Sequence, residues 1–175
     1  MDIGGLLAIP VEMRYAEDRR LRRCSRGKGR GAVETIVRKE RTAEPPYSLH
    51  DAYLMELVPE EDSIRLCFQG GYLRVEDACQ VDGDVRITGV DWRFCRAYVL
   101  EYQDVLCGNF GSFTGRKMPI TEFLERYPGG TVDVMDEMYG YNQAWISGFL
   151  NYGSKCYEIQ LEFYYAGDFC YLLRE

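Results

Sequence analysis

A chain of 175 residues buries roughly 70% of its unfolded surface, so it needs no metal or disulfide staple to fold. With 46% hydrophobic and 28% charged residues it is neither disordered nor fibrous, and its 14 Tyr and 8 Phe favour pleated, half-buried surfaces. The net charge of −7 hides a division: residues 1–44 carry eleven Lys/Arg against seven Asp/Glu, and residues 45–175 ten against twenty-one, which excludes a body that binds nucleic acid by bulk charge.

Residues 1–13 hold an apolar stretch broken by Gly4, Gly5 and Pro10, with no basic region before it, so a signal peptide is not expected. Between Arg14 and Arg30 lie eight cations, and the glycines spacing Arg26, Lys28 and Arg30 oppose a continuous helix. Residues 32–41 read as a short helix with Val33, Ile36 and Val37 on one face, stopped by Pro45 and Pro46. A boundary is placed there, giving a basic arm (1–44), partly disordered or short helix, and an acidic β-rich domain (45–175). The arm offers phosphate contacts through Arg19, Arg20, Arg22, Arg23, Arg26, Lys28 and Arg30. It also reads as a solvated tail, or as an extension upstream of the working domain.

From Tyr47 the period becomes two. Tyr53, Met55 and Leu57 alternate up to Pro59, and Glu60-Glu61-Asp62 makes a polar turn. Ile64, Leu66 and Phe68 alternate again before Gly70-Gly71, and Asp82-Gly83 precedes Val85 and Ile87. Residues 96–103 put Tyr98, Leu100 and Tyr102 on one side. The one convincing helix follows Pro119, with Thr121 as its expected N-cap, an apolar stripe of Ile120, Phe123, Leu124 and Tyr127, and a stop at Pro128-Gly129-Gly130. The clearest strand is 155–165, with Tyr157, Ile159, Leu161, Phe163 and Tyr165 on one side and Cys156, Glu158, Gln160, Glu162 and Tyr164 on the other. Phe169, Tyr171 and Leu173 alternate after it, and the two runs read as a C-terminal hairpin. The fold class is α+β, predominantly antiparallel β (meander sheet, sandwich or small barrel), with one short packed helix and the basic N-terminal arm.

Candidate chemistry is sparse. His50 is the only histidine, so histidine catalysis would need it beside a Cys or Ser brought near by folding; no G-x-S-x-G elbow is present. A turn role, with Ser48 or Asp51 bonding local backbone, is the alternative. The glycine-rich stretch 108–117 ends in Arg116 and Lys117 but fits no phosphate-loop spacing, and reads as a loop presenting Phe110 and Phe113. Asp133, Asp136 and Glu137 form an acidic cluster without calcium-loop spacing. Tyr139 and Tyr141, flanked by Gly140 and Asn142, read as an exposed rim, whereas Trp92 and Trp145 read as core. Seven scattered cysteines without a C-x-x-C pair suit reduced thiols in a cytoplasmic protein, and no metal or cofactor is expected.

The Leu49-His50-Asp51 run opening a β-meander, with an acidic body and aromatic C-terminal strands, resembles small bacterial β-rich domains of the immunity-protein type over about residues 47–175. That resemblance implies a cytoplasmic, non-catalytic protein that works by binding a toxin. The residues themselves point to a protein-binding module that presents an acidic aromatic surface to a basic partner. The expected contact set is Tyr139, Tyr141, Phe110 and Phe113 with Asp133, Asp136 and Glu137. The alternatives are a phage-encoded inhibitor that mimics nucleic acid, a nucleic-acid-associated protein using the arm, and a His50-dependent enzyme.

Overall fold

The computed structural model describes residues 34–40, 44–103 and 112–174, which belong to one compact unit, Ala32–Glu175. The arm cations from Arg14 to Arg30, and Phe110, lie outside the described residues. Among the described residues, thirteen strands and one helix follow in chain order. The first seven strands are β1 (Glu34–Arg38), β2 (Tyr47–Ser48), β3 (Tyr53–Pro59), β4 (Ser63–Gln69), β5 (Tyr72–Arg74), β6 (Cys79–Val81) and β7 (Gly83–Thr88). Then come β8 (Arg96–Gln103), β9 (Ser112–Pro119), α1 (Ile120–Arg126), β10 (Thr131–Tyr139), β11 (Gln143–Tyr152), β12 (Lys155–Tyr164) and β13 (Phe169–Arg174).

Ten strands form one open sheet in the order β1-β13-β7-β4-β3-β10-β11-β12-β8-β9, and β2-β5-β6 form a small second sheet. Every pairing is antiparallel. The expected class is therefore observed, as open sheets and not a barrel. Alternation assigns the two faces of the large sheet. Leu54, Leu66, Val85, Ile87, Ile146, Ile159, Leu161, Phe163 and Tyr171 are buried on the inner side, each side chain of this kind contributing about 1.5–3 kcal/mol on removal from water. The helix α1 packs on that side. Ile120 and Phe123 are buried, and the Tyr127 ring meets Tyr152 and Tyr157 edge-on at 5.3 and 5.9 Å.

Four local expectations are corrected. The segment 32–41 contains a strand, β1, not a helix: Thr35-Ile36-Val37 is a run of β-branched residues, stiff at χ1, and β13 offers it an edge. Its five residues thus join the sheet although they precede the expected boundary at 44/45. Strands β12 and β13 do not pair as a hairpin; β12 lies between β11 and β8, and β13 between β7 and β1. Arg116 and Lys117 sit on a strand, β9, and not on a loop. The helix begins one residue after Pro119, which is its N-cap without a side-chain bond, so Thr121 lies inside the first turn.

A register shift between Val134 and Asp136 makes β10 a bulged strand. It places Val132 and Val134 inward, then Glu137 and Tyr139 inward again, with Asp133, Met135, Asp136 and Met138 outward. Gly148, opposite Val134, is required there, because a Cβ would lie 2.0 Å from the Asp133 carbonyl oxygen.

On the outer side of β1, β13, β7 and β4, charges neutralise one another. The buried Asp84 carboxylate takes Arg65 Nη2 at 2.8 Å, Arg174 Nη2 at 3.2 Å and the Phe68 amide at 3.0 Å. Glu34 adds to Arg65 at 3.0 Å and Asp82 to Arg174 at 2.9 Å.

Candidate partner-binding face

The other half of the sheet, β10-β11-β12-β8-β9, leaves its outer side to solvent, and the pairing register fixes which side chains share it. One row runs Met138, Trp145, Glu162, Arg96. The next runs Asp136, Ser147, Gln160, Tyr98, Lys117, and a third Asp133, Phe149, Glu158, Leu100. Directly opposed side chains stand about 4.5–5.5 Å apart at Cβ, so Phe149 lies between two carboxylates and Trp145 beside a third. Met138 is 51% and Phe149 42% exposed, and Trp145 is half-buried.

The four carboxylates of this face are held by neutral donors. Asn151 Nδ2 donates to Asp133 Oδ2 at 3.0 Å, and the Glu137 amide to Asp136 Oδ1 at 2.8 Å. Glu162 accepts from Gln143 Nε2 and, at 3.2 Å, from the Tyr98 hydroxyl. Glu158 accepts from the Tyr102 hydroxyl, a bond that raises the phenol above its ordinary range. Among the described residues no ion pair reaches Asp133, Asp136, Glu158 or Glu162. Of the cations of the face, Arg96 is the cross-strand neighbour of Glu162 but donates to the Cys95 carbonyl at 2.9 Å, and Lys117 Nζ, on β9, sits 4.7 Å over the Tyr98 ring.

The expected contact set is divided by the fold. Asp133 and Asp136 lie on this face. Phe113 shares it but stands on β9, four strands from β10 and roughly 19 Å away, against Tyr102 at 5.8 Å. Tyr141, 71% exposed, lies in the turn between β10 and β11. Glu137 and Tyr139 do not belong to it, because the bulge turns both inward. Glu137 Oε2 accepts the Leu49 amide at 2.6 Å, and burial raises its carboxyl above the usual range despite the Leu49 and Ser48 bonds. Tyr139 packs edge-on to Phe169 at 5.2 Å with its hydroxyl 3.4 Å from that of Tyr171, and burial holds its phenol far above the ordinary value. Phe149, Met138, Glu158 and Glu162 were not in the expected set. For the two glutamates the signal existed, on the polar side of the 155–165 alternation. Trp145, expected in the core, lies on the outer side; Trp92 packs against the core.

His50 sits in a turn. Its Nδ1 is 3.0 Å from Asp51 Oδ2, its amide donates to Ser48 Oγ at 3.2 Å, and Asp51 holds a φ of 63°. The adjoining cleft, about 200 Å³, is lined by Ala52, Tyr72, Leu73 and Gln80, with no Ser or Cys among its described residues. No group of three or more His, Cys, Asp or Glu side chains among the described residues is placed to hold a metal ion. No described helix is long and apolar enough to cross a membrane. Comparison with protein-family models, curated proteins and solved structures finds no match to the chain.

Proposed function

We propose that this chain is a non-catalytic protein-binding module, of immunity or inhibitor type, whose outer face over β10, β11 and β12 receives a basic protein partner. The observation behind this reading is that Asp133, Asp136, Glu158 and Glu162 surround exposed apolar side chains and have only neutral hydrogen-bond donors within the described residues. On the outer side of the other half, Glu34, Asp82 and Asp84 are answered by arginine. A partner's Lys or Arg side chains would complete these four, steer the encounter and set the register, while Phe149, Trp145 and Met138 supply the desolvated centre.

The test starts with capture from nuclease-treated lysate, followed by titration of the purified captured protein against wild type and an Asp133→Lys/Glu162→Lys variant. The expected result is a basic partner whose affinity falls at least about tenfold in the variant and weakens with added salt. Affinity unchanged by the two reversals, or no captured protein, removes the reading.

A further inference from the structure

The two edges of the large sheet differ. Strand β1 is short, and ion pairs hold its ends, Glu34 to Arg65 at 3.0 Å and Arg38 to Asp168 at 3.4 Å. Strand β9 is eight residues long, its only partner among the described residues is β8, and Ser112 through Lys117 are six consecutive exposed positions. In an antiparallel edge every second residue turns its N–H and C=O away from the sheet, so β9 displays a ladder open to another strand.

The side chains around this edge choose the occupant. Ion pairs join Lys155 to Glu101 and both Arg116 and Arg126 to Glu122, and Lys117 stands on the opposite face of β9, so cations gather along this edge of a body of formal charge −11. Arg116 and Arg126 share the single Glu122 carboxylate, at 3.0 and 3.6 Å, so among the described residues neither guanidinium has an ion-pair partner of its own. They open on a cleft of about 190 Å³ floored by Tyr127, Tyr157 and Val99, on the α1 side of β9. A second copy is a poor fit. Any antiparallel self-pairing puts Arg116 and Lys117 of both copies on one ribbon, and β9 carries no carboxylate to answer them. We propose that β9 is an acceptor edge for an extended acidic peptide segment of a partner. The segment adds as an eleventh strand, and its side chains on the α1 side enter the Arg116–Arg126 cleft. This surface is separate from the acidic face and stands without it.

The experiment uses the full chain and a short labelled peptide alternating valine and glutamate, with the valine–lysine peptide as control. Binding is read by fluorescence polarisation, and backbone exchange at Ser112–Met118 by mass spectrometry. The valine–glutamate peptide is expected to bind and to slow exchange at alternate amides of β9, because an added strand takes up their hydrogen bonds. Arg116→Gln with Arg126→Gln is expected to weaken it about tenfold. If that variant fails to fold, amide protection in the wild type still decides. No binding, equal binding of the lysine peptide, or binding without amide protection overturns the proposal. So does concentration-dependent protection of β9 without peptide, which would assign the edge to a second copy.

Discussion

On β1, β13, β7 and β4 the outward positions carry Glu34, Arg174, Asp84 and Arg65, and these groups neutralise one another at 2.8–3.2 Å. On β10, β11 and β12 the same kind of position carries Asp133, Phe149 and Glu158, and no described cation pairs with the carboxylates. The pairing is antiparallel in both halves, although β10, β11 and β12 follow one another in the chain whereas β1, β13, β7 and β4 are brought together by crossovers. What differs is where the charges find their partners. In one half they find them within the sheet, so the ionic groups act in folding. In the other they are held in place by Asn, Gln and Tyr, which orient a carboxylate without neutralising its field.

The comparison is broken most sharply at Asp84. Asp84→Ala removes the acceptor of two guanidiniums and of the Phe68 amide, and is expected to lower stability by about 3 kcal/mol in urea unfolding, the figure tempered by the partial exposure of both arginines. Binding at the acidic face should be unchanged. A loss below about 1 kcal/mol would mean that this half, too, is held chiefly by its core.

A smaller effect is expected from Glu137, the acid that the bulge turns inward. Burial raises its pKa, so the folded chain holds that proton more tightly than the unfolded chain does. Stability from this group is therefore greatest below its unfolded pKa and falls as pH rises through the folded one. Glu137→Gln keeps an oxygen acceptor for the Leu49 amide and abolishes the titration. The difference in melting temperature, variant minus wild type, should grow with rising pH; a flat difference contradicts the burial argument. The smallest effect is Phe149→Ser, expected within about 0.5 kcal/mol of wild type in stability because the ring is already exposed, yet weakening partner binding. A large loss of stability would place Phe149 with structural side chains.

Much of the fold was legible where a strand has one wet and one dry face. The 155–165 alternation matches its burial, with Ile159, Leu161 and Phe163 inside and Cys156 and Tyr164 exposed. The strands and pairings missed have physical reasons. On β10 the bulge breaks the period midway, so Thr131–Tyr139 reads as scattered acids, and two of the residues expected at the surface face the core. On β9 six exposed positions around Gly115 give no alternation to detect. On β13 Cys170 and Leu172 are buried as well as Phe169 and Tyr171, so alternation could not name its neighbours. Adjacency in sequence suggested β12, whereas the hydrogen bonds go to β7 and β1, more than 80 residues upstream. For the candidate face, composition showed an acidic, aromatic body, but its membership depends on register, which a single strand's pattern does not carry.

The antiparallel pairing of β1 with β13 has a mechanical side. Glu34 and Arg174 are partners in register, so the first described strand begins where the last one ends. A pulling force applied to the chain before Glu34 and after Arg174 would act across this ladder, along its hydrogen bonds and not along the strands. Such a load opens one rung after another, like a zipper, and never stretches all five together. Traction through those two points would meet the sheet in its least resistant direction, with β1 the first strand to leave.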